Sequence, residues 1–246
     1  MSRFFVQKEN VKKNVATVVG SDVKHIRRVY RLGVGDRVVL FDGTGCEYHA
    51  EIISANSKEL TVNILESFLP QRESPIETVL GQGLPKLPKM DMIVQKGTEL
   101  GVSEILPFYS HRSIPNLTGD RLSRRVERWR KIALESSKQC GRDRIPNVGT
   151  PIDFAEILSV KLQNSLKIIL WEGENATGLK GTFDANPDKT KFIILIGPEG
   201  GFTNSEILKA EEAGFNVVSM GDRILRSETA SISILSVIQY RFGDLN

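Results

Sequence analysis

This 246-residue chain has few cysteines and histidines and no long apolar run. Cys46 and Cys140 are its only cysteines and lie far apart in sequence, so no disulfide framework is expected. His25, His49 and His111 are scattered, and with two distant cysteines they do not make the ligand spacing of a metal centre. No metal is therefore expected. No apolar run approaches membrane-spanning length, and Met1-Ser2-Arg3-Phe4-Phe5 lacks a signal-peptide core, so the expected setting is the cytoplasm, without a membrane partner. Two phosphate-binding fingerprints are also missing. No G-x-x-x-x-G-K-[ST] occurs, and Gly197-Pro198-Glu199-Gly200-Gly201 departs from the G-x-G-x-x-G order. Internal repeats and low-complexity tracts are absent too.

What remains is an ordinary globular composition, 40% hydrophobic and 26% charged, in a chain long enough for one large domain or two modest ones. The net charge of +3 is unevenly spread. Residues 1–72 carry 11 Lys/Arg against 8 Asp/Glu, and residues 110–146 carry 10 against 4, whereas the rest of the chain is acidic. A basic excess in two stretches suggests a polyanion, and nucleic acid is the obvious one, although a charge run more often marks a solvated face.

Residues 1–72 read as β-rich. Phe4–Val6, Val15–Val19, Arg37–Phe41, Tyr48–Ile53 and Leu60–Leu65 are short runs separated by Gly, Asp and Asn turns, and they suggest a small barrel. One helical segment interrupts them, with Val23, Ile26 and Val29 on one side and Lys24, Arg27, Arg28 and Arg31 available to phosphate. The proline-flanked stretch Leu69–Pro75 is the expected linker, which gives domains of 1–72 and 73–246.

Beyond the linker, strands and helices alternate. Ile76–Leu84, Glu104–Phe108 and Leu166–Trp171 are strand-like. Lys89–Leu100 has helical apolar spacing through Met90, Ile93, Val94 and Gly97. Asp120–Gln139 is a long helix with an apolar stripe of Leu122, Val126, Trp129 and Ala133, and its other faces are rich in arginine, a side chain suited to phosphate. This alternation predicts an α/β domain with a mostly parallel sheet covered by helices.

The last quarter organises the rest. Phe192–Ile196 is an apolar strand stopped by Gly197-Pro198-Glu199-Gly200-Gly201, and Thr203 and Glu206 have capping-box spacing. Asn216–Met220 is a second strand, broken by Gly221 and followed by the polar run Arg226-Ser227-Glu228-Thr229. A helix over Glu228–Tyr240 closes the chain. Two glycine-bearing βα turns lie where an open α/β sheet places its ligand.

These segments resemble the RsmE family of SPOUT-class RNA methyltransferases. The similarity is carried by Ile196-Gly197-Pro198-Glu199-Gly200-Gly201-Phe202, by Met220-Gly221-Asp222-Arg223-Ile224-Leu225-Arg226-Ser227-Glu228-Thr229-Ala230, by the Met90–Val102 stretch and by Glu135–Pro146. The resemblance implies an N-terminal PUA-like β-barrel and a C-terminal SPOUT domain whose chain passes through a loop as a deep trefoil knot. It implies S-adenosylmethionine as cofactor, a homodimer, and methylation of N3 of one uridine, U1498 of 16S ribosomal RNA in the family, in free RNA or the assembled small subunit.

Carried over position by position, the cofactor residues are Leu170, Trp171 and Glu172, then Gly197, Pro198, Glu199, Gly200 and Gly201, and last Met220, Gly221, Ile224, Leu225 and Ala230. Glycines admit close approach of backbone groups, and Ile224 and Leu225 are suited to flank a purine. Uracil N3 needs its proton removed, or donors that stabilise charge on O2 and O4. Arg226 is the candidate for that stabilisation, and Glu228 either accepts the proton or holds Arg226. The RNA candidates are Arg3, Lys24, Arg27, Arg28, Lys96, Arg112, Arg124, Arg128, Arg142 and Arg144. Lys96 and Glu99 also have the spacing of a surface ion pair. Two other readings stay open, a non-catalytic RNA-binding module and an enzyme of this class acting on transfer RNA.

Overall fold

The computed structural model describes residues 3–114, 117–173 and 176–245. Met1 and Ser2, part of the signal-peptide reading, lie outside them. The chain divides into two units, 1–73 with 137–145, and 74–136 with 146–246.

The N-terminal unit is a six-stranded sheet made of β1 (Arg3–Phe5), β2 (Val11–Lys12), β3 (Val15–Val19), β4 (Arg37–Phe41), β5 (Glu47–Ala55) and β6 (Glu59–Phe68), in the order β1-β4-β5-β6-β3-β2. All pairs are antiparallel except β1 with β4. Alternation along β3 buries Ala16 and Val18 while Val15 and Val19 face solvent, the period-2 signature of a one-sided sheet. Register shifts at His49/Ala50 and Ile52/Ser54 bend β5, so the sheet curls over one core of Phe4, Val38, Leu40, Ile52, Leu60 and Val62. Helix α1 (Ser21–Lys24) runs on as a π-wound turn, His25–Val29. The wider turn breaks the expected stripe. Val23 and Ile26 are buried, but Val29 is turned out to solvent at 64% exposure.

Residues 137–145 belong to this unit, which corrects the simple division at residue 72. The reason is ionic. Asp143, fully buried, holds the Arg3 guanidinium at 2.6 Å, and Arg3 also pairs with buried Glu47. Arg72 bonds Glu47 at 2.8 Å, and Glu73 accepts from Arg142 at 2.8 Å and from the Asp143 and Arg144 amides at 2.9 Å.

The C-terminal unit is an all-parallel sheet of β7 (Glu77–Gly83), β8 (Glu104–Tyr109), β9 (Asn147–Val148), β10 (Ile152–Asp153), β11 (Leu166–Leu170), β12 (Thr177–Gly178), β13 (Lys191–Ile196) and β14 (Asn216–Ser219). Its order is β10-β8-β7-β13-β11-β14-β12, with β9 also on β8. Phe192–Ile196 is buried throughout, as a central parallel strand covered on both faces must be. The helices are α2 (Leu87–Glu99), α3 (Gly119–Cys140, its last turn in the other unit), α4 (Phe154–Leu158), α5 (Leu179–Asp184), α6 (Asn204–Glu212) and α7 (Ser227–Phe242). Ile193 and Leu195 pack with Ile157 of α4 and Ile207 and Ala210 of α6. The Gly97 backbone of α2 sits against Ile105 and Leu235, so α2 packs with α7 and β8.

No helix among the described residues is long and apolar enough to cross a membrane.

Candidate functional site

The carboxyl ends of β11, β13 and β14 open onto one cavity of about 360 Å³, within the range of about 300–1,000 Å³ usual for small-molecule pockets. Three loops line it. Leu170, Trp171 and Glu172 come from the end of β11, Ile196 to Glu199 with Gly201 and Phe202 from the end of β13, and Val218 to Gly221 from the end of β14. Arg223 to Ser227 and Ala230, at the entry to α7, close the fourth side, and Lys89 of α2 completes it.

Each loop is shaped by its residues. Gly201 has φ +67°, a conformation that favours glycine, and its N–H donates to Pro198 O at 2.9 Å to close the tight turn. The turn leads directly into α6. Thr203 caps that helix, and its side chain and the Glu206 N–H form half of a capping box. Glu206 completes the box and also accepts the His111 N–H at 2.8 Å, tying the loop after β8 to the same corner. Arg112 follows, with Nη1 donating to Gly200 O at 2.8 Å.

Behind the cavity runs a buried polar chain. Gln82, fully buried at the end of β7, donates through Nε2 to Gly83 O and Ser227 Oγ, both at 2.9 Å, and accepts from Ser231 Oγ at 2.6 Å. Ser227 Oγ donates to Gly197 O at 2.7 Å. The loop after β13 is thereby fastened to β7 and to the first turn of α7. Sequence reasoning missed Gln82, because a lone amide inside an apolar strand gives no periodic signal.

Of the thirteen expected cofactor residues, Gly200 alone is absent from the cavity wall; its carbonyl is turned to Arg112 instead. Ile196, Phe202 and Ser227, which lie inside the matching segments, and Val218 and Ser219 of β14 are further wall residues outside the expected cofactor set. Arg226 lines the cavity with an exposed side chain that has no intramolecular hydrogen bond or ion pair among the described residues. Glu228 corrects an expectation. It does not hold Arg226, because its carboxylate pairs with Lys89 Nζ at 3.1 Å, and Lys89 is 3.2 Å from Glu199 as well.

The expected RNA residues divide into groups. Lys24, Arg27 and Arg28 are exposed and line one cleft with Val23 and Ser57. Arg124 and Arg144 are exposed, and Arg112 is exposed beside the glycine turn. Arg128 is ion-paired with Asp91 at 2.8 Å yet remains 57% exposed, and Lys96 makes the i,i+3 pair with Glu99 at 2.8 Å. Arg3 and Arg142 are corrections. Both guanidinium groups are drawn inward by carboxylates, Arg3 by Glu47 and Asp143 and Arg142 by Glu73.

The glycines test what such a cavity would accept. A Cβ at Gly83 would meet Pro198 at 2.7 Å, and one at Gly197 would meet the Gly201 backbone at 3.2 Å, so the loops fold closely and leave backbone donors and acceptors facing the space. Apolar Leu170, Met220 and Leu225 with these polar backbone groups fit a ligand that has a flat apolar ring and a polar edge.

Comparison with known proteins agrees with this arrangement. An RNA methyltransferase domain family matches residues 72–239, and an RNA methyltransferase PUA domain family matches residues 20–65. Ribosomal RNA small subunit methyltransferase E of Bacillus subtilis is 32% identical over 248 residues, covering 98% of this chain and 97% of the relative. Its Mesomycoplasma hyopneumoniae counterpart is 33% identical over 96% of this chain and 98% of its own length. The crystal structure of a ribosomal RNA small subunit methyltransferase E from Neisseria gonorrhoeae, bound to S-adenosyl methionine, superposes with a TM-score of 0.88 at 31% identity, over 100% of both chains. With a PUA-like N-terminal unit, a parallel α/β unit and a cavity built from the matching segments, this chain belongs to the ribosomal RNA small subunit methyltransferase E family.

Proposed function

We propose that this protein is an S-adenosylmethionine-dependent methyltransferase that acts on N3 of one uridine in 16S ribosomal RNA, corresponding to U1498 of the family. The observation that carries the reading is the cavity itself, with an unpartnered Arg226 on its wall. The cofactor is S-adenosylmethionine, held by the loops of Leu170–Glu172, Gly197–Gly201 and Met220–Leu225. Bound there, it supplies a methyl group from a sulfonium. The chain's own contribution is alignment and electrostatics. Backbone groups of the glycine turn take the polar edges of the cofactor, and Ile224 and Leu225 flank its purine. Arg226 stabilises negative charge that spreads onto O2 and O4 as N3 loses its proton. Glu228, committed to Lys89, serves as a strut, and the N3 proton passes to solvent water at the exposed side of the cavity.

The exposed Lys24, Arg27, Arg28, Arg112, Arg124 and Arg144 are the phosphate contacts, and the target base leaves its stack to reach the cavity. The protein works in the cytoplasm as a homodimer with a trefoil-knotted catalytic unit and without a metal. The deciding experiment is nucleoside mass spectrometry of small-subunit rRNA from cells lacking the protein, before and after its addition with S-adenosylmethionine. Loss and recovery of 3-methyluridine are expected. Unchanged 3-methyluridine sinks the uridine assignment, and a parallel panel of transfer RNAs tests the competing substrate class. Calorimetry with S-adenosylmethionine separates the enzyme from a non-catalytic RNA-binding module.

A further inference from the structure

Lys89 is expected from sequence only as the start of a helix, yet three site-forming segments meet on it. Its Nζ lies 3.2 Å from Glu199 Oε1, in the glycine turn after β13, and 3.1 Å from Glu228 Oε2, in the first turn of α7. Glu199 in turn accepts the backbone N–H of Lys86, the residue that opens α2, at 3.2 Å. One ammonium group therefore joins the start of α2, the glycine turn and the start of α7. Lys89 and Glu199 line the cavity, and Glu228 stands just behind it with 14% of its side chain exposed. Two carboxylates drawn to one point repel each other, and only a cation between them makes the arrangement favourable.

We propose that Lys89 is a positioning residue, the pin that fixes the glycine turn at its distance from the first turn of α7 and so sets both cofactor affinity and turnover. The inference rests on the methyltransferase reading for the identity of the ligand, not for the existence of the pin. Burial opposes the charged form of Lys89, but Glu228 and Glu199 outweigh it and raise its pKa above the ordinary lysine value. For Glu199, burial acts upward, but backbone N–H groups and Lys89 hold it below the usual carboxylate range. The pin is thus charged throughout the neutral range. The other charged residues on the cavity wall are Glu172, Arg223 and Arg226. On α2 itself, Asp91 is engaged by Arg128 and Lys96 by Glu99, so neither competes for the pin.

Lys89→Met keeps an unbranched stem and deletes the charge. Well below its melting temperature, this variant is expected to bind S-adenosylmethionine about tenfold or more weakly by calorimetry. Its turnover should fall by up to about 100-fold, the scale on which a misplacement of ~1 Å acts. In the cofactor-free protein, amide hydrogen exchange at Lys86 and Gly201 should accelerate. Charge balance supplies the sharper arm. Lys89→Met/Glu228→Gln removes the cation together with one anion and should bind the cofactor more tightly than Lys89→Met, and Lys89→Arg should retain most of the wild-type affinity. Unchanged affinity and exchange in Lys89→Met overturn the proposal, as does a double variant no better than the single one. A wild-type protein that fails to bind S-adenosylmethionine refutes the functional reading instead, and the exchange difference at Lys86 and Gly201 then still decides for or against the pin.

Discussion

Gln82 Nε2 donates to Ser227 Oγ at 2.9 Å, and the same hydroxyl donates onward to the Gly197 carbonyl at 2.7 Å. The residue after Arg226 is thereby bonded directly to the first residue of the glycine turn, and its hydroxyl is held in place by an amide that has no access to solvent. Gln82→Leu removes the buried amide's bonds to Ser227 Oγ, Ser231 Oγ and the Gly83 carbonyl, leaving the two hydroxyls only their bonds to the Gly197 and Ser227 carbonyls. A loss of about 2 kcal/mol is expected, seen as a melting temperature lower by roughly 4–8 °C, together with weaker cofactor binding by calorimetry.

Gly83 tests how tightly the turn is seated. A Cβ there would lie 2.7 Å from Pro198 Cδ and 2.8 Å from Pro198 N, and the latter is backbone that cannot swing aside. Gly83→Ala is expected to displace the turn and weaken S-adenosylmethionine binding roughly tenfold while the circular dichroism spectrum stays native, since the overpacking strain, typically 1–3 kcal/mol, falls on the loop. Gly33→Ala is the control, because nothing lies within 4 Å of its Cβ position.

For Arg226, the expectation is a separation of rate from binding. Arg226→Ala should lose a factor of about 100–1,000 in kcat, the usual scale for removing one charge-stabilising donor, and keep its cofactor affinity. Single-turnover methylation of a small-subunit RNA fragment measures it. A variant that binds cofactor normally and methylates at full rate removes Arg226 from the mechanism.

The buried acid pair of the N-terminal unit gives a pH dependence with a definite sign. Burial, with Glu47 adding to it, pushes Asp143 up to about 6, against the pull of Arg72 and Arg3. For Glu47, burial also acts upward, but Arg72 and Arg3 hold it below the usual carboxylate range. The folded state therefore binds the Asp143 proton more tightly than the unfolded chain, where aspartate titrates near 3.9. That stabilisation is complete below pH ~4 and is lost as pH rises through about 6. Urea unfolding of wild type against Asp143→Asn should show the difference move against the wild type between pH 4 and 7, by on the order of 2–3 kcal/mol.

Salt dependence separates the two kinds of arginine. Lys24→Ala, Arg27→Ala and Arg28→Ala should each weaken RNA binding and lower the slope of log K against log salt by about 1. Arg142→Ala is expected to cost stability, because it removes the cation that pairs with Glu73 and leaves it only backbone donors. It should leave that slope unchanged.

Most of the frame was legible from the residues. The period-2 alternation at Val15–Val19, the all-apolar Phe192–Ile196 and the Thr203–Glu206 spacing each emerged as expected, because each depends on local sequence. The losses have physical causes. A π-wound turn shifted Val29 off its stripe, and the two-residue strands β2, β9, β10 and β12 are too short to show a period. Motif matching marked the walls of the cavity but not the bonds behind them. That Arg3 and Arg142 are spent on Glu47, Asp143 and Glu73 depends on residues 44 to 140 positions away, which no local pattern reveals.

The membership of residues 137–145 in the N-terminal unit makes the two halves inseparable by a single cut. A fragment ending at residue 73 would keep Arg3 and Arg72 and forfeit the buried Asp143 that pairs with them, so it should express as a poorly folded peptide. A gene fusion that exchanged this half as a cassette would have to carry two stretches of coding sequence at once. Lineages within the family are then expected to inherit both halves together, and recombination between them at the proline-flanked joint should be rare.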